Sequence, residues 1–126
     1  MIKADCIFCQ KDDIVIENEL AKAFWDKHPV REGHLLIVPK QHYVTYFDVP
    51  ATTKQALDDL LMAGKALLDE RYQPAGYNIG INVNPAAGQT VMHAHIHLIP
   101  RYEGDVRDPR GGIRKMIPHA VSHWQH

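Results

Sequence analysis

Met92-His93-Ala94-His95-Ile96-His97-Leu98-Ile99 sets a histidine at every second position among apolar residues. A strand turns successive side chains to opposite faces. The stretch therefore predicts a strand from Met92 to Ile99, stopped by Pro100, with His93, His95 and His97 on one face and Met92, Ala94 and Ile96 on the other. Adjacent histidines on that face lie about 6.5 to 7 Å apart at the backbone, and the row spans roughly 13 Å. One metal ion can take two neighbours of such a row but hardly all three.

Outward from this strand, Asn84-Pro85-Ala86-Ala87-Gly88 is a turn, and Tyr77 to Val83 alternates as a second strand with Ile79, Ile81 and Val83 on one side. Further upstream, Leu57, Leu60, Leu61, Leu67 and Leu68 fall on one face of a helix from Thr53 to about Tyr72. Thr52 and Gln55 fit a capping box at its start, and Pro74 and Gly76 end it. Leu35-Leu36-Ile37-Val38, ended by Pro39, is a short apolar run that reads as a buried central strand. Ile14-Val15-Ile16 and Ala21-Lys22-Ala23-Phe24-Trp25 form a hairpin, with His28-Pro29 halting the second strand and Gly33 marking a turn. Without βαβ alternation, the pattern predicts an α+β domain, a mainly antiparallel five-stranded sheet with one long and one short helix.

The whole chain has 126 residues and is 45% hydrophobic, enough for one domain that buries roughly two-thirds of its unfolded surface. Its 14 Lys and Arg against 15 Asp and Glu give a formal charge of −1, which excludes broad electrostatic binding to nucleic acid or anionic membrane. No apolar run approaches the roughly 20 residues of a membrane span, and Met1-Ile2-Lys3-Ala4-Asp5 lacks the order of a signal peptide, so a cytoplasmic protein is expected. Histidine is the outlier at 9 residues, since it is the side chain that titrates near neutrality and commonly binds metals. Two cysteines, Cys6 and Cys9, have the Cys-x-x-Cys spacing of a metal half-site or a redox pair.

Three readings of the histidine row compete. It is a half-polar surface, or a His-x-His pair holding a catalytic zinc that activates water, or a row in which one neutral imidazole attacks phosphorus directly. Gly88-Gln89-Thr90-Val91 stands immediately before it. A glycine turn entering a strand can present backbone N–H groups to an anion, and Gln89 and Thr90 add neutral donors. Preorganised neutral donors suit phosphoryl transfer, and a zinc peptidase does not need them.

Gly88-Gln89-Thr90-Val91-Met92-His93-Ala94-His95-Ile96-His97-Leu98-Ile99 resembles the signature of the histidine triad (HIT) nucleotide hydrolases and transferases. The likeness extends to Cys6-Ile7-Phe8-Cys9, Ala23-Phe24-Trp25-Asp26, Gly33-His34-Leu35-Leu36-Ile37-Val38-Pro39-Lys40 and Asn82, which gives a domain over residues 1–115 and a tail over 116–126. It implies that His95 attacks the α-phosphorus of a nucleotide to form a nucleotidyl-histidine, with His97 contacting phosphate and leaving group. Gln89, Thr90 and the Gly88 turn would hold phosphate oxygens, Asp26 the ribose hydroxyls, and Asn82 would face the α-phosphate. Ile7, Phe8 and Phe24 would line the base pocket. Because His97 stands where transferases similar to galactose-1-phosphate uridylyltransferase carry glutamine, the resemblance points to water as acceptor. The substrate it implies is a nucleoside phosphoramidate or dinucleoside polyphosphate, with a purine mononucleotide as the bound unit, no catalytic cofactor, and a homodimeric protein. No aprataxin-like zinc-finger extension is present, which argues against a DNA-repair member.

Two thiolates do not complete a tetrahedral zinc site, and His42 and His93 are the candidates to close it beside Cys6 and Cys9. Members of the resembled family with Cys-x-x-Cys are consistent with that structural zinc. His34 is either structural or close to the nucleotide. His28, His119, His123 and His126 have no pattern around them, and Trp124 is a candidate to shape the substrate site by analogy with the family's C-terminal tails. The segment Arg101 to Lys115, rich in Arg, Gly and Pro, reads as a packed tail or a mobile flap, and as a candidate contact for distal phosphates. Two other functions stay open at this level: a zinc-dependent hydrolase with His93 and His95 as ligands, and a nucleotide-binding regulatory module with little turnover.

Overall fold

The structure, a computed structural model, describes residues 1–118. The expectations attached to His119, His123, Trp124 and His126 lie outside the described residues. Five strands, β1 (Ile16–Glu17), β2 (Ala21–Trp25), β3 (Leu35–Pro39), β4 (Gly76–Gly80) and β5 (Ile96–Arg101), form one sheet in the order β1-β2-β3-β5-β4, and every pair is antiparallel. One long helix, α1 (Ala51–Tyr72), crosses from the end of β3 to β4 and packs on one face of the sheet. The short helical pieces are 3-10 turns at Tyr46–Asp48, Pro85–Ala87 and Gly112–Met116. No helix among the described residues is long and apolar enough to cross a membrane.

Alternation along the strands builds two apolar layers. Ala21, Ala23, Leu35, Ile37, Ile96 and Leu98 face α1 and meet Leu57, Leu60 and Leu68. Phe24, Leu36 and Val38 point the other way and meet Phe8 from the N-terminal loop. The buried stripe of α1 is Thr53, Leu57, Leu60, Gly64 and Leu68, and Leu61 and Leu67 lie at its half-buried margin. Gly64 lets the helix approach the sheet, because a Cβ there would stand 3.0 Å from Leu35 Cδ2 and 3.4 Å from Leu98 Cδ2.

Several boundaries differ from the sequence expectation. α1 begins directly after Pro50, so Thr52 lies inside the helix and caps nothing, while Gln55 donates to Asp59. A cap of this kind is found instead at Thr45, whose N–H and hydroxyl both donate to Asp48 Oδ2. β4 ends at Gly80 rather than Val83, and β1 is only Ile16–Glu17. The largest difference concerns β5, which starts at Ile96 and runs through Pro100 to Arg101. Pairing Leu35 with Leu98 and Ile37 with Ile96 would, if continued, set Pro39 opposite Ala94, and Pro39 has no N–H to give. The ladder stops there, and the Ala94 N–H bonds to the carbonyl of Tyr43 instead, at 2.7 Å. Pro100 is tolerated because β3 has already ended and only Tyr77 of β4 pairs with it.

Filling the close contact at Gly64 should cost stability without changing the fold. Gly64→Val is expected to lower the unfolding free energy by about 1–3 kcal/mol in urea denaturation; an unchanged midpoint would show that α1 can move off Leu35 freely.

Candidate active site

A row of paired residues crosses the face opposite α1: Phe24 pairs with Leu36, Leu36 with His97, and His97 with Gly80. Strand spacing puts Phe24 and His97 roughly 10 Å apart. Over that row lies a cavity of about 460 Å3 whose lining includes Ile7, Phe8, Phe24, Asp26, His95 and His97, with Thr90 at its edge. Eight percent of His95 is exposed, and its ring packs edge-on against Phe8 at 5.1 Å and against His97 at 5.0 Å between centroids.

The hydrogen bonds fix which nitrogen of each imidazole carries the proton. His95 Nδ1 lies 2.8 Å from the carbonyl of His93, which can only accept, so Nδ1 is the N–H and the lone pair is on Nε2. His93 Nε2 lies 2.8 Å from the carbonyl of Pro39, so its lone pair is on Nδ1. His34 Nδ1 accepts the Val30 N–H at 3.1 Å, which leaves the proton of the neutral ring on Nε2, 2.9 Å from His97 Nδ1 and 3.3 Å from Asp26 Oδ2. His97 then accepts at Nδ1 and carries its own proton on Nε2. The chain Asp26, His34, His97 thus ends in an N–H, and the chain His93, His95 ends in a lone pair.

Burial favours the neutral form of His97 and His34. It pulls His97 down to about 4, helped by the neighbouring His95 and His34, and it lowers His34 against the opposing pull of Asp26. His34 is the residue that the sequence reading left undecided. Its signal is its place immediately before β3, two positions from Leu36, which pairs with His97.

The free Nδ1 of His93 points to the cysteines, 3.3 Å from Cys6 Sγ and 3.5 Å from Cys9 Sγ, and His42 Nδ1 is 3.5 Å from Cys9 Sγ. These four ligand atoms lie within 4.8 Å of one another, and two thiols with two imidazole nitrogens could hold one metal ion. Since His93 turns its lone pair to this cluster and His95 turns its own away, the two do not share an ion. Lys22 clamps the same loop, its buried ammonium donating to the carbonyls of Cys9 at 3.1 Å and Lys11 at 2.9 Å.

The loop before the histidines is arranged differently from the sequence expectation. Gln89 is buried, with its amide nitrogen donating to Val44 and Val91 and its oxygen accepting the Asn84 N–H. The N–H groups of Gly88 and Gln89 bond to the carbonyls of Pro85 and Asn84. Gln89 and Gly88 therefore hold the loop, and Thr90 is the member that lines the cavity. Asn82 is not in that lining; it shares a smaller cavity of about 250 Å3 with His97 and His34 on the other side of the row. His28, read as incidental, lines the main cavity.

The segment after Pro100 packs on the body: Arg101 bonds Asp105 through two nitrogens at 2.8 Å each and reaches Asn78 at 2.6 Å. Gly112–Met116 lies against β4. Arg101 and Arg107 line a separate cavity away from His95, so neither stands ready for a phosphate there.

The model of the HIT domain matches residues 9–104. An uncharacterized 16.1 kDa HIT-like protein of Mycoplasma pneumoniae is 40% identical over 109 residues, covering 82% of this chain and 76% of its own length. An adenosine 5′-monophosphoramidase of Candida albicans is 38% identical over 111 residues, covering 78% and 71% respectively. Among solved structures, a zinc-bound histidine triad family protein of Mycobacterium smegmatis is 33% identical with a TM-score of 0.74, covering 83% of this chain and 84% of that one.

Because the native state holds His97 neutral down to about 4 while an unfolded histidine takes its proton near 6.5, acid favours the unfolded chain across that interval. Unfolding free energy is expected to fall as pH drops from about 6.5 towards about 4, and less steeply in His97→Asn, as read by urea denaturation across that range. Parallel pH profiles in the two proteins would count against a buried neutral His97.

Proposed function

The chain belongs to the HIT family, and on that premise we propose that it is a nucleotide hydrolase. It cleaves a nucleoside phosphoramidate or dinucleoside polyphosphate at the α-phosphorus through a nucleotidyl-His95 intermediate. The observation that carries this reading is the bond from His95 Nδ1–H to the His93 carbonyl, which leaves the Nε2 lone pair available beside the cavity. In the first step Nε2 attacks phosphorus and the bond to the leaving group breaks. In the second, water replaces His95 and the nucleoside monophosphate departs. His97 Nε2–H, oriented by His34 and Asp26, donates a hydrogen bond to a phosphate oxygen or the departing group. Thr90 adds a hydroxyl, Phe8, Phe24 and Ile7 accept the base, Asp26 takes the ribose hydroxyls, and Asn82 serves the α-phosphate from the far side of His97. Gln89 and Gly88 act through the loop they shape.

The Cys6, Cys9, His42 and His93 cluster fits a zinc ion, with tetrahedral nitrogen and sulfur donors. Its chemistry when bound is structural, a cross-link between the N-terminal loop and the approach to β5. The similarity to a zinc-bound structure supports that identity for the metal. A cytoplasmic homodimer belongs to the same proposal. β4 is an edge of the described sheet and exposes 47% of Ile79, a surface on which a second copy can pair.

Replacing the nucleophile gives the decisive test. His95→Asn should lower turnover of a nucleoside phosphoramidate by about 10^4-fold or more, with no trappable nucleotidyl adduct, while nucleoside monophosphate affinity stays within a few-fold. Turnover at the wild-type rate in that variant would end the proposal. For the metal, protein purified without chelator is expected to carry one zinc per chain by elemental analysis, lost in Cys6→Ser together with thermal stability. A zinc-free wild type of equal stability would remove it.

A further inference from the structure

The cavity's charged lining is unbalanced. Among the described residues its charged side chains are Lys11, Lys27 and Asp26, so two ammonium groups stand against one carboxylate. Asp26 Oδ1 accepts the His28 N–H at 2.8 Å, and the proposed function gives the same carboxylate to the ribose hydroxyls. Lys11 belongs to the end of the cavity remote from the imidazoles in the succession of contacts: the His95 ring meets Phe8 at 5.1 Å, Phe8 meets Phe24 at 5.3 Å, and the Lys11 ammonium lies 5.4 Å from the Phe24 ring centre.

Both lysines project from fixed backbone. The Lys11 carbonyl is held by the buried Lys22 ammonium at 2.9 Å, and its N–H bonds to Phe8 at 3.3 Å. Lys27 stands between Asp26, whose N–H bonds to the His34 carbonyl at 2.9 Å, and His28, held by Asp26. Only the flexible stems remain free to reach a ligand. Lys11 has one competing partner, Asp13 at 3.4 Å, in a solvent-exposed pair of the kind that contributes little.

We propose that Lys11 and Lys27 make this cavity selective for 6-oxopurine nucleotides, those of guanine and hypoxanthine, over adenine nucleotides. The inference rests on the nucleotide-hydrolase reading above and names the base for that same site. A lysine offers three donors and no acceptor. The N7–C6 edge of guanine presents two acceptors, N7 and O6, whereas adenine presents N7 beside an amino donor. With the base against Phe8 and its phosphate at His95, the base edge lies towards the Lys11 ammonium beyond Phe24, in a cavity that Lys27 also lines. There an oxo group meets donors, and an amino group meets another set of donors with the one carboxylate already occupied.

The test is calorimetric titration of the full chain with GMP, IMP and AMP, repeated on Lys11→Met/Lys27→Met, which keeps the apolar stems and removes the ammonium groups. GMP and IMP should bind the wild type about fivefold or more tightly than AMP. The double variant should lose that preference by weakening GMP and IMP while AMP affinity holds, with an unchanged melting temperature as the folding check. Equal affinities in the wild type would overturn the inference, and so would a variant that weakens all three equally, since the lysines would then serve the phosphate. In both of those outcomes the hydrolase reading survives. If none of the three binds, that reading and the inference fall together.

Discussion

Residue 93 is the point on which the rest of the site depends. Its ring is fully buried and both nitrogens are committed, Nε2 to the Pro39 carbonyl and Nδ1 towards Cys6 and Cys9, while its own carbonyl accepts from His95. A buried imidazole without such partners would be costly, so the satisfied ring holds the backbone in one place. The consequence is transmitted through a single bond. Because the His93 carbonyl is fixed, it holds Nδ1 of the His95 ring and leaves Nε2 as the nitrogen free to meet a ligand. The cysteine cluster and His95 are therefore neighbours, joined by the two ends of one residue.

Proline accounts for why this is possible. A regular strand continued back through Ala94 would give the Ala94 N–H to the Pro39 carbonyl, and that carbonyl would then have a strand partner in place of the His93 ring. Pro39 interrupts the ladder, and its carbonyl, freed from pairing at that position, accepts the His93 ring instead. The irregular stretch before Ile96 is thus what gives the site its hydrogen bonds. The order of the sheet then sets the neighbours: β5 lies between β3 and β4, so His97 has Leu36 on one side and Gly80 on the other, with open space where a side chain at Gly80 would stand.

Much of this was legible in the sequence, and the gaps have physical causes. The alternation gave the faces of Ala94 and Ile96 correctly, whereas Met92, expected beside them, is exposed in a cavity with Cys6 and His42, because the chain bends at residues 91–93 and loses the period of 2. The apolar spacing of α1 was equally clear, whereas Thr52 and Gln55 misled because Pro50 starts the helix earlier and a short capping pattern occurs by chance. His34 was visible as a residue but not as a partner, since nothing local says that β5 will be placed beside β3. Gln89 shows the opposite failure: its type suggested a free donor, and burial turned it into a loop strut. Composition could report the near-zero charge but not its arrangement.

That arrangement separates two tasks that one charged site could not perform together. Next to His95 stands His97, held uncharged by burial, so on the proposed reading an anion there is met by hydrogen bonds rather than by a fixed cation that would bind ground state and transition state alike. The cations of the cavity, Lys11 and Lys27, lie on segments outside the histidine row and are anchored through their backbones. The Phe8 and Phe24 rings stand between His95 and the Lys11 ammonium. Were an ammonium group placed beside His95 instead, it would disfavour protonation there but would also hold the monophosphate product, and release would slow. The aromatic pair is in this sense a spacer as well as a floor, and its place follows from the same alternation along β2 that buries Ala21 and Ala23 under α1.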